Sequence, residues 1–416
     1  MTARIYKHIL IFVLAAVIFL LPFYFIRFTI IGIPTNILEI TVLLFFLLSV
    51  FFRPRGKKIF GYFSTYLFLA AILITCFFFH SNQALGIIKS WVIIPILFFL
   101  ALINLFSKKD LKNIFIFFWV PVLLVSLWGV MQKTGLIGLL SYQRQDMASF
   151  SPYIQSGRMF GPFESPNFLA MFLVPLLLIL ISTFSRRILI LVPQIAIWAL
   201  GVYVVFLTSS KGGEIALLVS LAIIIFCYIS RRATNKKIKI ALYSFFLLLI
   251  LLAGIFFSKK IASSSSNEDR LEIYRYSIQL ISNHPIVGIG PGNFQSEVAE
   301  ISKNDVNFQN YGLPYALHAH NLFLNVWLSF GVLGLLSFLL LLIEVFLRLW
   351  RRHDQDYSLP LFGAILAILI HGLFDTTYFK NDLSIIFWMI MAFSFILSQK
   401  EGDELGRNKK EDRTAG

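Results

Sequence analysis

Residues 318–336, HAHNLFLNVWLSFGVLGLL, form an apolar stretch that opens on two histidines and an asparagine. His318 and His320 carry groups whose charge changes near neutral pH. Asn321 follows them at the mouth of what reads as a membrane helix. Arg270 and Arg275 offer fixed cations upstream, and Lys211 sits in a two-glycine break, FLTSSKGGEIALL (206–218). Lys211 is either a snorkelling lysine in a short polar turn or a cation held at the membrane surface to meet an anionic head group. GIGPGNF (288–294) places glycines on alternate residues. No strand precedes it and no βαβ unit follows, so it is not a dinucleotide fingerprint. It is either a tight turn returning the chain to the membrane or a set of backbone N–H groups open to an anion. GRMFGPFESPNFLA (157–170) holds Arg158, with no acid close in sequence, and Asn167, beside a proline at a helix start. His371 and Asp375, at i and i+4, either face a cavity or bond each other.

These residues need elements to position them. Of the 416 residues, 58% are hydrophobic and 14% charged, too little charge to cover a soluble domain. Long apolar runs broken by short basic clusters predict an all-α, polytopic membrane protein forming one integral membrane domain over 1–416. About twelve transmembrane helices are expected, near 9–26, 37–52, 59–79, 87–106, 113–132, 166–184, 188–208, 213–230, 240–257, 320–347, 358–379 and 382–398. The first run is too long for a signal-peptide core and reads as an uncleaved span. Cys76 and Cys227 fall inside apolar runs, which argues against a disulfide framework or a cysteine metal site.

Alternate connections carry Arg4 and Lys7, RPRGKK (53–58), SKKDLK (107–112), RR (186–187), RRATNKKIK (231–239), RLWRR (348–352) and the tail, 399–416. Together they hold 24 of the 36 Lys and Arg residues. The positive-inside rule puts both termini and these loops in the cytoplasm. The formal net charge of +15 then resides entirely on that side, so it is topological and does not call for a nucleic-acid partner. Two connections on the opposite side are long, 133–165 and 258–318, and long loops are uncommon unless functional. The second contains a helical pattern, with Leu271, Tyr274, Ile278 and Ile281 at helical spacing after a Ser/Asn run and before Asn283–Pro285. The expected protein therefore has a partly helical external loop and an active surface, if any, on the external face.

His320–Asn321, nine residues, then Gly331-x-x-Gly334 resembles the signature of the O-antigen ligase superfamily, which also contains related polysaccharide polymerases. RLEIYRYSIQLISNHPIVGIGPGNF (270–294) is similar to the family's Arg-bearing helix and Gly-x-Gly turn. GPFESPNFLA (161–170) and LTSSKGGEIALL (207–218) fall in the expected order. One departure is Lys211, where the family commonly has arginine; lysine keeps the charge and loses the planar fork.

The resemblance implies transfer of a glycan from a polyprenyl-pyrophosphate carrier to an acceptor hydroxyl on the external, periplasmic face of a bacterial inner membrane. His320 and Arg270 are the implied catalytic residues, His320 as base and Arg270 on the leaving pyrophosphate. Lys211, Arg275, Arg158, Asn321, His318 and Asn167 are the implied substrate-binding set. The acceptor is either a lipid-core sugar or another carrier-linked chain, so ligase and polymerase are both open. No acidic cluster in the sequence resembles a metal site; the expected chemistry has no cofactor and is metal-independent. Family members that glycosylate proteins usually carry a further C-terminal region, and this chain ends soon after its last span, which disfavours that activity. A lipid-linked glycan flippase or transporter would spread ionisable residues through several spans and show repeats, whereas here the polar residues cluster on one side.

Overall fold

The computed structural model describes residues 2–51, 61–137, 157–233, 235, 237, 265–303, 318–352 and 357–399. The basic cluster at 53–58, the span expected at 240–257 and nearly all of the tail lie outside the described residues.

Apolar runs become helices because a segment in hydrocarbon must satisfy its own backbone. Thr2–Leu20 is α1, followed by strands β1 (Arg27–Ile30) and β2 (Ile33–Asn36). Next come α2 (Ile37–Phe51), α3 (Phe63–Phe78), α4 (Asn82–Leu105), α5 (Lys108–Lys133), α6 (Pro166–Leu180), α7 (Ile188–Leu207) and α8 (Lys211–Arg232). The chain continues through α9 (Ser265–Asn283), α10 (Phe294–Ile301), α11 (Leu322–Arg351), α12 (Ser358–Gly372) and α13 (Asn381–Ser398). Among the described residues, eight helices are long and apolar enough to cross a membrane, fewer than the twelve expected. The difference lies in α2, α3 and α12, which are apolar but shorter than a full crossing, and in the span outside the described residues.

Among the described residues the only strands belong to one antiparallel hairpin, in which Ile30 pairs with Ile33 across a two-residue turn. Ile31 and Gly32 both have positive φ, 49° and 77°, as a primed hairpin turn requires. An all-helical reading misses this element because its strands are only four residues long.

Helix α13 forms the centre of the bundle, with nearly every side chain buried, while α7 lies at the rim with most of its apolar surface exposed. At the end carrying the basic loops, Lys7 pairs with Asp110 (2.9 Å) and Ser358 donates to the Leu349 carbonyl.

Helix α11 is broken at Gly331, whose φ is +68°. A Cβ there would stand 2.0 Å from the Ile286 carbonyl oxygen, so only glycine admits the close approach. The same turn docks through Ile289 and Gly290, whose N–H groups both donate to the Leu328 carbonyl (2.8 and 3.2 Å). Those two N–H groups are therefore spent on the kink of α11, and this part of 288–294 acts as a turn that docks the outer helix.

Helix α9 starts at Ser265 and ends at Asn283, close to the predicted bounds. Its buried face holds Ile273, Tyr276 and Leu280, packed with Ile289, Phe294 and Leu328. Leu271 and Ile278, from the predicted stripe, are exposed instead. Ile281 of that stripe is buried in the same cluster and the Tyr274 hydroxyl bonds the His320 carbonyl, so the predicted stripe is half right and the packed face is rotated toward Ile273, Tyr276 and Leu280.

Candidate active site

Four chain segments and helix α9 meet at the end of the bundle opposite the Lys7–Asp110 pair. Each is placed by a local device. Ser165 caps α6, its hydroxyl accepting from the Phe168 N–H, and Pro166 occupies the first turn. That sets Asn167 facing the next segment. Its Nδ2 donates to Oδ2 of Asp375 at 2.8 Å, and its Oδ1 accepts from Arg158 Nη2 at 3.3 Å. Arg158 Nε donates to the Thr208 carbonyl at 2.9 Å, so Arg158 is not a solvated surface arginine.

Ser210 caps α8, and the two glycines after Lys211 let that helix approach its neighbours. A Cβ on Gly212 would lie 2.7 Å from the His371 ring, and one on Gly213 would lie 2.6 Å from the Ala170 Cβ. His371 Nε2 stands 3.4 Å from Ser210 Oγ. Lys211 turns away and pairs with Glu214 on its own helix at 2.8 Å.

Asn321 caps α11. Its Oδ1 accepts from the Phe323 and Leu324 N–H groups, and its Nδ2 donates to the Leu373 carbonyl at 3.1 Å. The asparagine implied to touch substrate thus closes the helix start and ties it to the 373–376 turn. His320, just before the cap, has φ +47°. Non-glycine residues seldom adopt that conformation, and it persists only where the surroundings impose it.

The imposed geometry brings His320 and His318 together, rings 4.3 Å apart, over one carboxylate. Asp375 Oδ1 lies 3.3 Å from His320 Nδ1 and 3.9 Å from His318 Nδ1. The Thr376 N–H donates to the same oxygen at 2.8 Å. His320 Nδ1 is buried without a well-aligned hydrogen bond. Burial alone would raise the Asp375 carboxyl, but the charge and hydrogen bonding of His320, with His318 and His371, hold it well below the usual carboxylate range. The His318 imidazole is pushed down to about 4, mainly by burial and further by His320, against the pull of Asp375. At neutral pH the cluster is one carboxylate beside a neutral His318.

Tyr274 on α9 completes the assembly. Its hydroxyl lies 3.1 Å from both the His320 and the Leu373 carbonyls. Burial raises its pKa, so it stays a neutral donor. Arg270, one turn earlier and half-buried, is close enough for its charge to act on Tyr274 and His371. Arg275 points elsewhere, bound to Glu272 at 2.8 Å and stacked over Tyr276.

Of the residues singled out in the sequence, the fold gathers His320, His318, Asn167, Arg158, Asn321 and Arg270 around one point, and leaves Lys211 and Arg275 on acids of their own helices. Asp375 was visible only as an i+4 partner for His371. The two side chains do not bond each other; Asp375 serves His318 and His320, just before α11, and His371 serves Ser210. Tyr274 carried only the signal of helical periodicity. The sequence shows no acidic cluster of metal-site type; the fold brings together a different group, in which ligand atoms of His318, His320 and Asp375 lie within 4.8 Å of one another. Only the folded chain brings Asp375 to the histidines.

The fold and this site describe a multi-pass helical membrane protein with a polar, titratable centre at one end of its bundle. Residues 195–339 match the family model Wzy_C, described as O-Antigen ligase. That family is associated with O-antigen-related polysaccharide processing at the membrane, and the match points to an enzyme of polysaccharide biosynthesis. The matched segment includes Lys211, Arg270, His318, His320 and Gly331; Arg158, Asn167 and Asp375 lie outside it. A comparison with curated proteins gives no match.

Proposed function

We propose that the protein transfers a glycan from a polyprenyl-pyrophosphate carrier to a sugar hydroxyl, with the reaction at the end of the bundle where His320 meets Asp375. The convergence of one imidazole, one carboxylate and a nearby arginine carries this reading. The acceptor oxygen attacks the anomeric carbon of the donor glycan as the bond from that carbon to the pyrophosphate oxygen breaks. The pyrophosphate leaves with the bonding electrons, and the hydroxyl proton passes to His320. With His320 Nδ1 turned to Asp375, the proton acceptor is Nε2, and Asp375 steadies the imidazolium that forms. Arg270 faces the charge that develops on the leaving group, in a site partly closed to water.

Asn167 and Arg158 have a different part from the substrate contact that the resemblance implied. Asn167 holds Asp375 by its second oxygen and Arg158 braces Asn167, so both are positioning residues. Lys211 can reach the donor only by leaving Glu214. Of the two acceptors, we take a second carrier-linked glycan, which makes the activity polymerisation. The family's association with polysaccharide processing in general supports this without requiring a lipid-core sugar. The basic loops support a cytoplasmic location for the opposite end and an external location for the site.

The test is purified protein in lipid nanodiscs given the carrier-linked donor alone. Stepwise lengthening of carrier-linked chains supports polymerisation. Transfer only after a lipid-core acceptor is added would make the protein a ligase, and no transfer in either case would overturn the reading.

A further inference from the structure

The His318, His320 and Asp375 cluster has a second chemical capability. Two imidazole nitrogens and a carboxylate oxygen converge on one point, the donor set that borderline divalent ions favour. Around an ion with bonds of about 2.0–2.1 Å, two ligand atoms on a tetrahedron sit about 3.3 Å apart. Asp375 Oδ1 and His320 Nδ1 already stand at 3.3 Å, and His318 Nδ1 is 3.9 Å from the same oxygen. The ligand atoms of all three residues lie within 4.8 Å of one another; closing the set asks His318 to move toward the other two and to give up the hydrogen bond its Nδ1 accepts from the His320 N–H (3.4 Å).

Three further observations bear on this. His320 Nδ1 is buried and faces the Asp375 carboxylate at 3.3 Å, so a bound ion would take the place of the ring proton between them. The carboxylate is oriented from behind by Asn167 on one oxygen and the Thr376 N–H on the other, the kind of outer support that metal ligands need. His320 is held at positive φ, which fixes the direction of its ring against the chain's own preference. Arg270 counts against a cation, but its charge acts on Tyr274 and His371 and is not among the groups that shift His318 or Asp375.

We propose that His318, His320 and Asp375 bind a zinc-like divalent transition ion and that its binding switches transfer off. The second half rests on the function proposed above. An ion on His320 Nδ1 displaces any proton there and fixes the remaining ring proton on Nε2, the nitrogen that must be free to accept from the hydroxyl. The same ion draws off the negative charge of Asp375 that steadies the imidazolium. A hard ion such as Mg²⁺ prefers oxygen ligands and is not expected to compete.

The experiment uses the full-length protein in lipid nanodiscs, stripped with a chelator and titrated with Zn²⁺, Co²⁺ and Mg²⁺. One Zn²⁺ per chain, with the intense visible absorption of tetrahedral Co²⁺, is expected. His318→Ala and Asp375→Asn should each weaken binding by about 100-fold or more, and Asn167→Ala by about 10- to 100-fold, as for loss of an outer support. His284→Ala, on an exposed histidine of the outer loop, should not change it. The absence of stoichiometric binding, or binding equal in His318→Ala, Asp375→Asn and wild type, overturns the site. The binding arm decides this even if the purified protein transfers no glycan. In the activity arm, Zn²⁺ should abolish transfer and chelator should restore it. Binding at the site with undiminished transfer overturns the switch and removes His320 as the base.

Discussion

Asp375→Asn removes one charge and almost no volume, so it isolates what the carboxylate contributes. During transfer His320 goes from neutral to cationic, and only an interaction stronger in that state speeds the reaction. Opposite charges about 4 Å apart at an effective dielectric near 20 attract by about 4 kcal/mol. The nearest atoms here are 3.3 Å apart, with the carboxylate nearly buried and the His320 side chain 27% exposed. Exposure on the histidine side screens the pair, leaving about 2–4 kcal/mol. At about 1.4 kcal/mol per tenfold, kcat should fall by about 30- to 1,000-fold. The amide can still accept from Thr376 or Asn167, so the loop should hold its shape. Donor KM should stay within about twofold, because the carboxylate does not face the pyrophosphate. Initial rates with carrier-linked donor in nanodiscs give both constants. A kcat within about threefold of wild type, or a loss confined to KM, would refute the role given to Asp375.

Three other outcomes follow from the same geometry. Arg270→Ala should weaken donor binding by about 10- to 100-fold, the worth of a charged hydrogen bond, whereas Arg275→Ala, whose partners are Glu272 and Tyr276, should change it by less than about twofold; equal effects in a donor-binding titration would count against this division. Gly331→Ala combines positive φ with a backbone clash and should destabilise by about 2–4 kcal/mol, seen as a lower Tm and faster hydrogen exchange at Ile289 and Gly290; unchanged protection would mean that the turn does not depend on the kink. In a cysteine-free background, Glu300→Cys should react with an impermeant thiol reagent in intact cells (with any outer membrane made permeable) and Thr234→Cys should not; labelling of Thr234→Cys would invert the orientation.

Helices that cross the bundle were legible because hydrophobicity and length suffice to mark them. The short helices α2 and α12 show the limit, since an apolar run does not say how much of it stays helical. Gly331 and the Gly-x-Gly turn could be recognised as special but not paired with each other, because the contact joins two backbones and leaves no mark in side-chain pattern. His320 and Arg270 were singled out by type, spacing and the family resemblance, and the fold brings them to the same end of the bundle. Lys211 and Arg275 looked equivalent to Arg270 in sequence; whether a cation is committed to Glu214 or Glu272 depends on rotamers that only packing sets. Asp375 was hidden differently. Its partners His318 and His320 precede it by two whole helices, α11 and α12, while the nearer His371 offered a false match at i+4.

The most direct test of the central claim is the rate of glycan transfer by His320→Ala in lipid nanodiscs, measured beside wild type with carrier-lipid binding followed in the same samples. The account predicts that transfer is lost while binding of the carrier pyrophosphate is retained, because Arg270 holds the donor and His320 takes only the proton. Substantial transfer by His320→Ala would contradict it and place the base elsewhere.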